Sequence, residues 1–256
     1  MAFMSRPRIL VAVEPDNPAN EYCDALREAG AEPVLVSPVA PCPPLLDFDG
    51  LLLTGGGDVQ PAMYGGESPL AVEVDVERDA LESALVRRAR RDQVPTFCIC
   101  RGLQIANVAF GGTLLADLPD HFGGAATIRH NVQNPDGRTE RGVISEHIVA
   151  IGRETLLRRI IGTDQLVTGA RHHQAVDRCA GDLRVAGRTP DGIVEALEAR
   201  FDSPFWLAVQ WHPESTRDLD AGASRALFRA FVRAAGKEDR AAGPYALRPP
   251  LFSAGR

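Results

Sequence analysis

The sequence predicts an α/β fold, a central and mostly parallel sheet with helices on both faces. Three observations predict it. Short continuous apolar runs such as "RILVAV" and "GLLLT" suit strands buried on both faces. Each early run is followed by a stretch of helical periodicity, and alternation of this kind implies parallel strands with helical crossovers. Glycines cluster where strands end, as in "LLLTGGGD".

In chain order, "RILVAV" gives the first strand. "NEYCDALREAG" gives a helix, with Asn20 as its expected N-cap and Gly30 as its stop. "EPVLVSP" is a second strand between prolines, and "PCPPLLDFDG" a Pro-rich loop. "GLLLTGGGD" is the third strand. "DVERDALESALVRRARRD" is a helix opening near Asp75, with Leu81, Ala84, Leu85 and Ala89 as its expected inner face. "PTFCI" is the fourth strand, and "GLQIANVAFGG" a helix closed by Gly111 and Gly112. The texture then changes. Residues 121–140 are rich in Gly, Asn, Asp and Arg and predict an exposed excursion. "EHIVAI", "LRVAGR" and "GIVEALEA" predict a small antiparallel block with a turn at "TPDG". "FWLAVQW" is apolar enough to return to the sheet core, and "ASRALFRAFVRAAG" is a last amphipathic helix on Leu227, Phe228, Phe231 and Val232. The expected division is one domain over 8–236 and a tail over 237–256.

Composition bounds the function. At 256 residues, 45% hydrophobic and 24% charged, the chain can bury a core without staples. A net charge of −6 disfavours a nucleic-acid partner. No segment is long and apolar enough for a signal peptide or membrane span, so no membrane partner is expected. Five cysteines without framework spacing suggest free thiols in a reducing cytoplasm.

The chemistry concentrates in "PTFCICRGLQIANVAFGG" (95–112). In a doubly wound sheet, ligands bind beyond the carboxyl ends of the strands. Cys100 stands there, where the following helix directs free N–H groups and its positive dipole end, a field that favours a thiolate. Cys98 lies inside the strand. From this segment alone a pair of buried core cysteines, a Cys-x-Cys metal pair and a nucleophile all remain open. Three distant stretches bear on the choice. "LLLTGGGD" offers backbone N–H groups at another strand end. "AVQWHPES" sets His212 and Glu214 after an apolar run, as a base placed by an acid or as half a metal site. "RHHQAVD" pairs two histidines, which more often serve structure than catalysis.

Together, "TGGGDVQPAMYG", "ERDALESAL", "CICRGLQIANVAFGGTLLADLP", "HHQAV", "DGIVEALE" and "AVQWHPE" make the chain resemble the class I glutamine amidotransferases over nearly its whole length. Within them it resembles the free-standing γ-glutamyl-γ-aminobutyrate hydrolase group, peptidase family C26. The resemblance implies a flavodoxin-like fold, with Cys100 as nucleophile, His212 as base and Glu214 as the acid that orients it. It implies an oxyanion hole from the backbone N–H groups of Gly56 or Gly57 and of Arg101. Substrate contacts are expected at Gln104, His172, His173 and Gln174. No metal or organic cofactor is expected, the partner is a small γ-glutamyl amide, and a homodimer is the assembly the resemblance allows. Two departures stand out: Cys98 replaces the first glycine of the usual Gly-x-Cys-x-Gly, and "TGAR" precedes the histidine pair where Asn-Ser is common. The implied reaction is hydrolysis of a γ-glutamyl amide through a thioester. The rivals are a glutaminase subunit that passes ammonia to a separate synthetase, and a binding protein on the same scaffold.

Overall fold

The structure, a computed structural model, describes residues 6–15, 17–66, 70–123, 128–130, 145–215 and 220–236. The expected tail over 237–256 and most of the expected excursion over 121–140 lie outside the described residues.

Strand β1 (Arg8–Ala12) is flanked by β2 (Glu32–Val36) and β3 (Gly50–Leu53), both parallel to it, and helix α1 (Asn20–Glu28) makes the first crossover. Asn20 is the first helical residue and not the cap. The cap position belongs to Ala19, whose N–H is bound by Asn17 Oδ1 at 2.8 Å, so the asparagine that serves the helix start lies three residues upstream. Helix α2 (Val76–Arg91) starts as expected, with the Asp75 carboxylate accepting from the Arg78 N–H. Its buried face is shifted from the expected one: Ala84 is exposed, while Arg78, Asp79 and Glu82 are buried with Leu85, Val86 and Ala89. An apolar stripe was the wrong guide here because the inward face carries a charge network, described below.

Strand β4 (Thr96–Ile99) joins β3 in parallel and leads into α3 (Arg101–Ala109), every residue of which is buried. Gly102 permits this. A Cβ there would lie 2.5 Å from the Leu53 carbonyl oxygen, so a bare backbone is what lets α3 rest on β3. A short strand β5 (Leu114–Leu115) and helix α4 (Leu118–His121) follow. The antiparallel part comprises β6 (Ser145–Ile151), β7 (Gln165–Ala170), β8 (Ala175–Val176), β9 (Leu183–Arg188) and β10 (Val194–Ala199), with α5 (Leu156–Ile161) between β6 and β7. Neither α5 nor β7 was expected from the sequence. Strand β11 (Trp206–Val209) returns to the centre, parallel to β4 and antiparallel to β10, and α6 (Ala221–Ala235) closes the described chain.

The strands form one sheet in the order β2-β1-β3-β4-β11-β10-β9-β6-β7, with β5 and β8 paired beside β10. The antiparallel strands thus extend the parallel sheet. Apolar clusters line both faces. One packs α1 and α6 through Phe97, Phe228 and Phe231; the other packs α2 and α3 through Leu53, Cys98, Leu103 and Ala208. Among the described residues no helix is long and apolar enough to cross a membrane.

Candidate active site

Strands β1, β3, β4 and β11 run parallel, so their carboxyl ends open on one edge. That edge gathers Glu14, the turn 54–58, Cys100 and the segment 210–215. Cys100 occupies the corner between β4 and α3 with φ 54° and ψ −109°, a backbone that non-glycine residues adopt only under constraint. The constraint is visible on both sides. The Cys100 N–H donates to Val209 O at 2.8 Å, and its carbonyl accepts from Leu103 and Gln104 at the helix start. The thiol is buried, and Gln210 Nε2 lies 3.5 Å from its sulfur.

His212 follows β11, with Nδ1 2.6 Å from Glu214 Oε1. Burial pushes the imidazole toward neutrality. Glu214 and then Cys100, charged neighbours that favour the imidazolium, outweigh it and lift the pKa to about 10. His212 and Cys100 converge on one point. A Cβ placed on Gly55 would lie 2.9 Å from His212 Cε1, 2.9 Å from the Tyr22 hydroxyl and 3.6 Å from Cys100 Cβ. Gly55 therefore fronts both groups, and its missing side chain leaves the space between them.

The glycine turn is held by charge. Arg78 donates through Nη2 to Gly55 O at 2.8 Å and to Thr54 Oγ1 at 3.1 Å, and it pairs with Glu82 at 2.7 Å and Glu14 at 2.8 Å. Arg101 pairs with the same Glu82 and with Asp79 at 2.5 Å. One buried network on α2 thus fixes both the turn after β3 and the first residue of α3. A Cβ on Gly56, at φ 152°, would strike the Arg78 and Glu14 side chains at 2.2 Å, so that glycine packs against the network. The expected donors now differ in availability. The Gly57 N–H is taken by Glu14 Oε1 at 3.2 Å and the Gly55 N–H by the Tyr22 oxygen at 3.0 Å. The Arg101 N–H opens a helix and has no intrahelical acceptor.

The four expected substrate contacts have internal partners. Gln104 donates to Gln174 O at 3.0 Å and Gln210 Oε1 at 3.2 Å. Gln174 binds the Val59 N–H at 3.1 Å and reaches Tyr64. His173 is bracketed by Asp58 at 3.0 Å and Asp117 at 2.9 Å, whose charges outweigh burial and raise its pKa to about 9. His172 turns away, toward Glu195. Through Gln104 and Gln210, the first two still lead to the Cys100 sulfur.

Tyr22, Glu14, Arg78 and Gln210 were not expected from the sequence. Gln210 lies inside the quoted "AVQWHPES". Arg78, Asp79 and Glu82 sit at i, i+1 and i+4 of "ERDALES", a spacing that puts three charges on one face of a helix whose neighbours are apolar.

A thiol on a strand-helix corner, an imidazole held by a carboxylate and a glycine turn between them is the equipment for acyl transfer at sulfur. Comparison with known proteins agrees with the fold and narrows the class. A glutamine amidotransferase from Methylobacillus flagellatus superposes with a TM-score of 0.60 at 15% identity, covering 92% of this chain and 95% of that one. This is the class I glutamine amidotransferase fold. Residues 10–214 match the Peptidase C26 sequence profile, and the chain belongs to that family of glutamine amidotransferase-like hydrolases. The γ-glutamyl-γ-aminobutyrate hydrolase of Escherichia coli O157:H7 is 34% identical over 226 residues, 84% of each chain. A Mycobacterium tuberculosis protein whose name places it among glutamine amidotransferases is 38% identical over 227 residues, 86% of this chain and 70% of its own.

Proposed function

We propose that the protein hydrolyses the γ-glutamyl amide of a small amine, γ-glutamyl-γ-aminobutyrate or a close relative, through a γ-glutamyl thioester on Cys100. The observation that carries the reading is the convergence of Cys100 and His212 in front of Gly55. The name of the Escherichia coli relative supports the substrate class.

The Cys100 thiolate attacks the γ-carbonyl carbon. The carbonyl oxygen takes the negative charge and is met by the N–H groups of Arg101 and Gly56, the Gly57 N–H being held by Glu14. His212, held protonated beside Glu214, gives its proton to the departing nitrogen, and the C–N bond breaks. His212 then takes a proton from water, whose oxygen attacks the thioester carbon, releasing glutamate and the thiolate. Glu214 orients the ring and stabilises its cation; Gln210 steadies the sulfur. Gln104, His173 and Gln174 act in this scheme as the wall behind the substrate, with His173 the charged member, while His172 turns away from it toward Glu195.

Steady-state kinetics on γ-glutamyl-γ-aminobutyrate, its α-linked isomer and glutamine test the reading. The γ-linked dipeptide is expected to be cleaved about 100-fold faster than the α-linked one, a difference of about 2.7 kcal/mol. If glutamine is the best of the three, the ammonia-delivering subunit replaces the free-standing hydrolase.

A further inference from the structure

Away from Cys100, three of the six histidines meet around one carboxylate. Glu195 Oε1 lies 3.3 Å from His172 Nε2, 3.4 Å from His130 Nδ1 and 3.5 Å from His147 Nε2. All four side chains are at most 5% exposed. Among the described residues none of these four atoms has a hydrogen-bond partner of acceptable geometry, although buried polar atoms are nearly always satisfied. One oxygen with two lone pairs also offers too few acceptor positions for three N–H donors.

The outer nitrogens show what faces inward. His172 Nδ1 lies 2.9 Å from the Gln174 carbonyl, which can only accept, so that nitrogen carries the hydrogen. His130 Nε2 lies 3.1 Å from Asp191 Oδ2, an acceptor whose carboxylate is held through its other oxygen, Oδ1, by the Thr189 hydroxyl at 2.5 Å. In the neutral rings the inward Nε2 of His172 and Nδ1 of His130 are then lone pairs aimed at a carboxylate oxygen. Lone pairs converging in a buried space repel unless a cation stands between them. An imidazole whose far N–H is fixed by a carboxylate or backbone carbonyl is the usual setting of a metal-bound histidine. Separations of 3.3 to 3.5 Å also match the edge of a tetrahedron with metal–ligand bonds of about 2.0–2.1 Å.

We propose that His130 Nδ1, His147 Nε2, His172 Nε2 and Glu195 Oε1 form a closed site for a divalent transition metal, zinc first among them. The ligands His130, His172 and Glu195 already have their donor atoms within 4.8 Å of one another. Three imidazoles and one carboxylate without sulfur suit zinc, and four protein ligands leave no open position, so the site is structural. It would clamp strands β6 and β10 to residue 130 and to the segment 171–174. That segment matters for the chemistry, because the Gln174 carbonyl accepts from both His172 and Gln104, and Gln104 reaches Gln210 beside Cys100. The inference departs from the sequence expectation of no metal. It stands independently of the substrate, since its readout is the metal itself.

The test uses the full chain, stripped by chelator and dialysed against zinc or cobalt(II). Elemental analysis is expected to find about one metal per chain. X-ray absorption on the zinc form is expected to show nitrogen and oxygen neighbours and no sulfur. Glu195→Gln and His147→Gln are expected to weaken zinc binding about 100-fold or more. Asp191→Asn keeps every ligand and serves if those variants misfold; it is expected to weaken binding about tenfold. Cys100→Ser is expected to keep the metal. A wild-type chain that retains no stoichiometric metal overturns the proposal, as does sulfur in the coordination shell or loss of metal in Cys100→Ser.

Discussion

The Arg78 guanidinium donates to the Gly55 carbonyl at 2.8 Å, so a charge on helix α2 fixes the turn that fronts the Cys100 thiol. The same guanidinium pairs with Glu82, which also pairs with Arg101 at the head of α3. The two backbone segments that would cradle a developing oxyanion are thereby tied to one buried carboxylate.

Removing that tie should be costly. Arg78→Met leaves the fully buried Glu82 with one cation fewer and takes the partner from the half-buried Glu14, and is expected to destabilise the fold by about 3–5 kcal/mol. Urea denaturation followed by circular dichroism measures it. A loss below about 1 kcal/mol would mean that solvent reaches the network.

Cys100→Ala is expected to abolish turnover, whereas Cys98→Ala should stay within about tenfold of wild type, about 1.4 kcal/mol of barrier. Cys98 is fully buried among Leu53, Leu103 and Ala208, and burial, then Glu82, pushes its thiol pKa well up. Iodoacetamide labelling read by mass spectrometry should follow Cys100. Labelling of Cys98 instead would move the nucleophile into the strand.

The pH profile should carry the mark of His212. Its pKa is raised from the usual imidazole value of 6.5 to about 10, with burial opposing Glu214 and Cys100. Tyr22 and, at 3.9 Å from Glu214, Arg171 are the other titratable groups around the pair. A raised pKa means that the cation's contribution to stability is complete below pH 6.5 and is lost as pH rises through about 10. The alkaline limb of kcat/KM is therefore expected near pH 10, and Glu214→Gln should move it downward. A limb that stays in place in that variant would detach Glu214 from the imidazole.

Gly55→Ala tests the convergence point. The new methyl group would press His212 and Tyr22 at 2.9 Å, so the base must shift. Turnover is expected to fall about 100-fold, about 2.7 kcal/mol, with a much smaller change in Tm. Gly102→Ala should do the reverse and act first on stability, because its methyl group meets the Leu53 backbone at 2.5 Å.

Much of this was legible in the sequence. Apolar runs ending in glycine or cysteine marked β3 and β4, and "FWLAVQW" marked the return of β11 to the core, because strands buried on both faces need no alternation. Helix α5 and strand β7 escaped because "TLLRRIIG" is barely two turns long and "QLVTGA" has only weak alternation. The inner face of α2 was misread at Ala84 because period alone cannot distinguish a charged face that is buried from one that is solvated. The histidine cluster was invisible for a different reason: residues 130, 147, 172 and 195 come from four separate segments, and only the sheet brings them together.

The pairing of β11 with β4 sets Ala208 against Cys98 and Val209 against Ile99, so His212 reaches Cys100 through alignment across strands more than a hundred residues apart. A slip of one residue would put Trp211 in the imidazole's place and turn every β11 side chain to the opposite face. For redesign, this separates what can be exchanged from what cannot. Connections away from the carboxyl edge can be lengthened or replaced, whereas the offset between these two neighbouring strands is the dimension that any new chemistry on this scaffold must inherit unchanged.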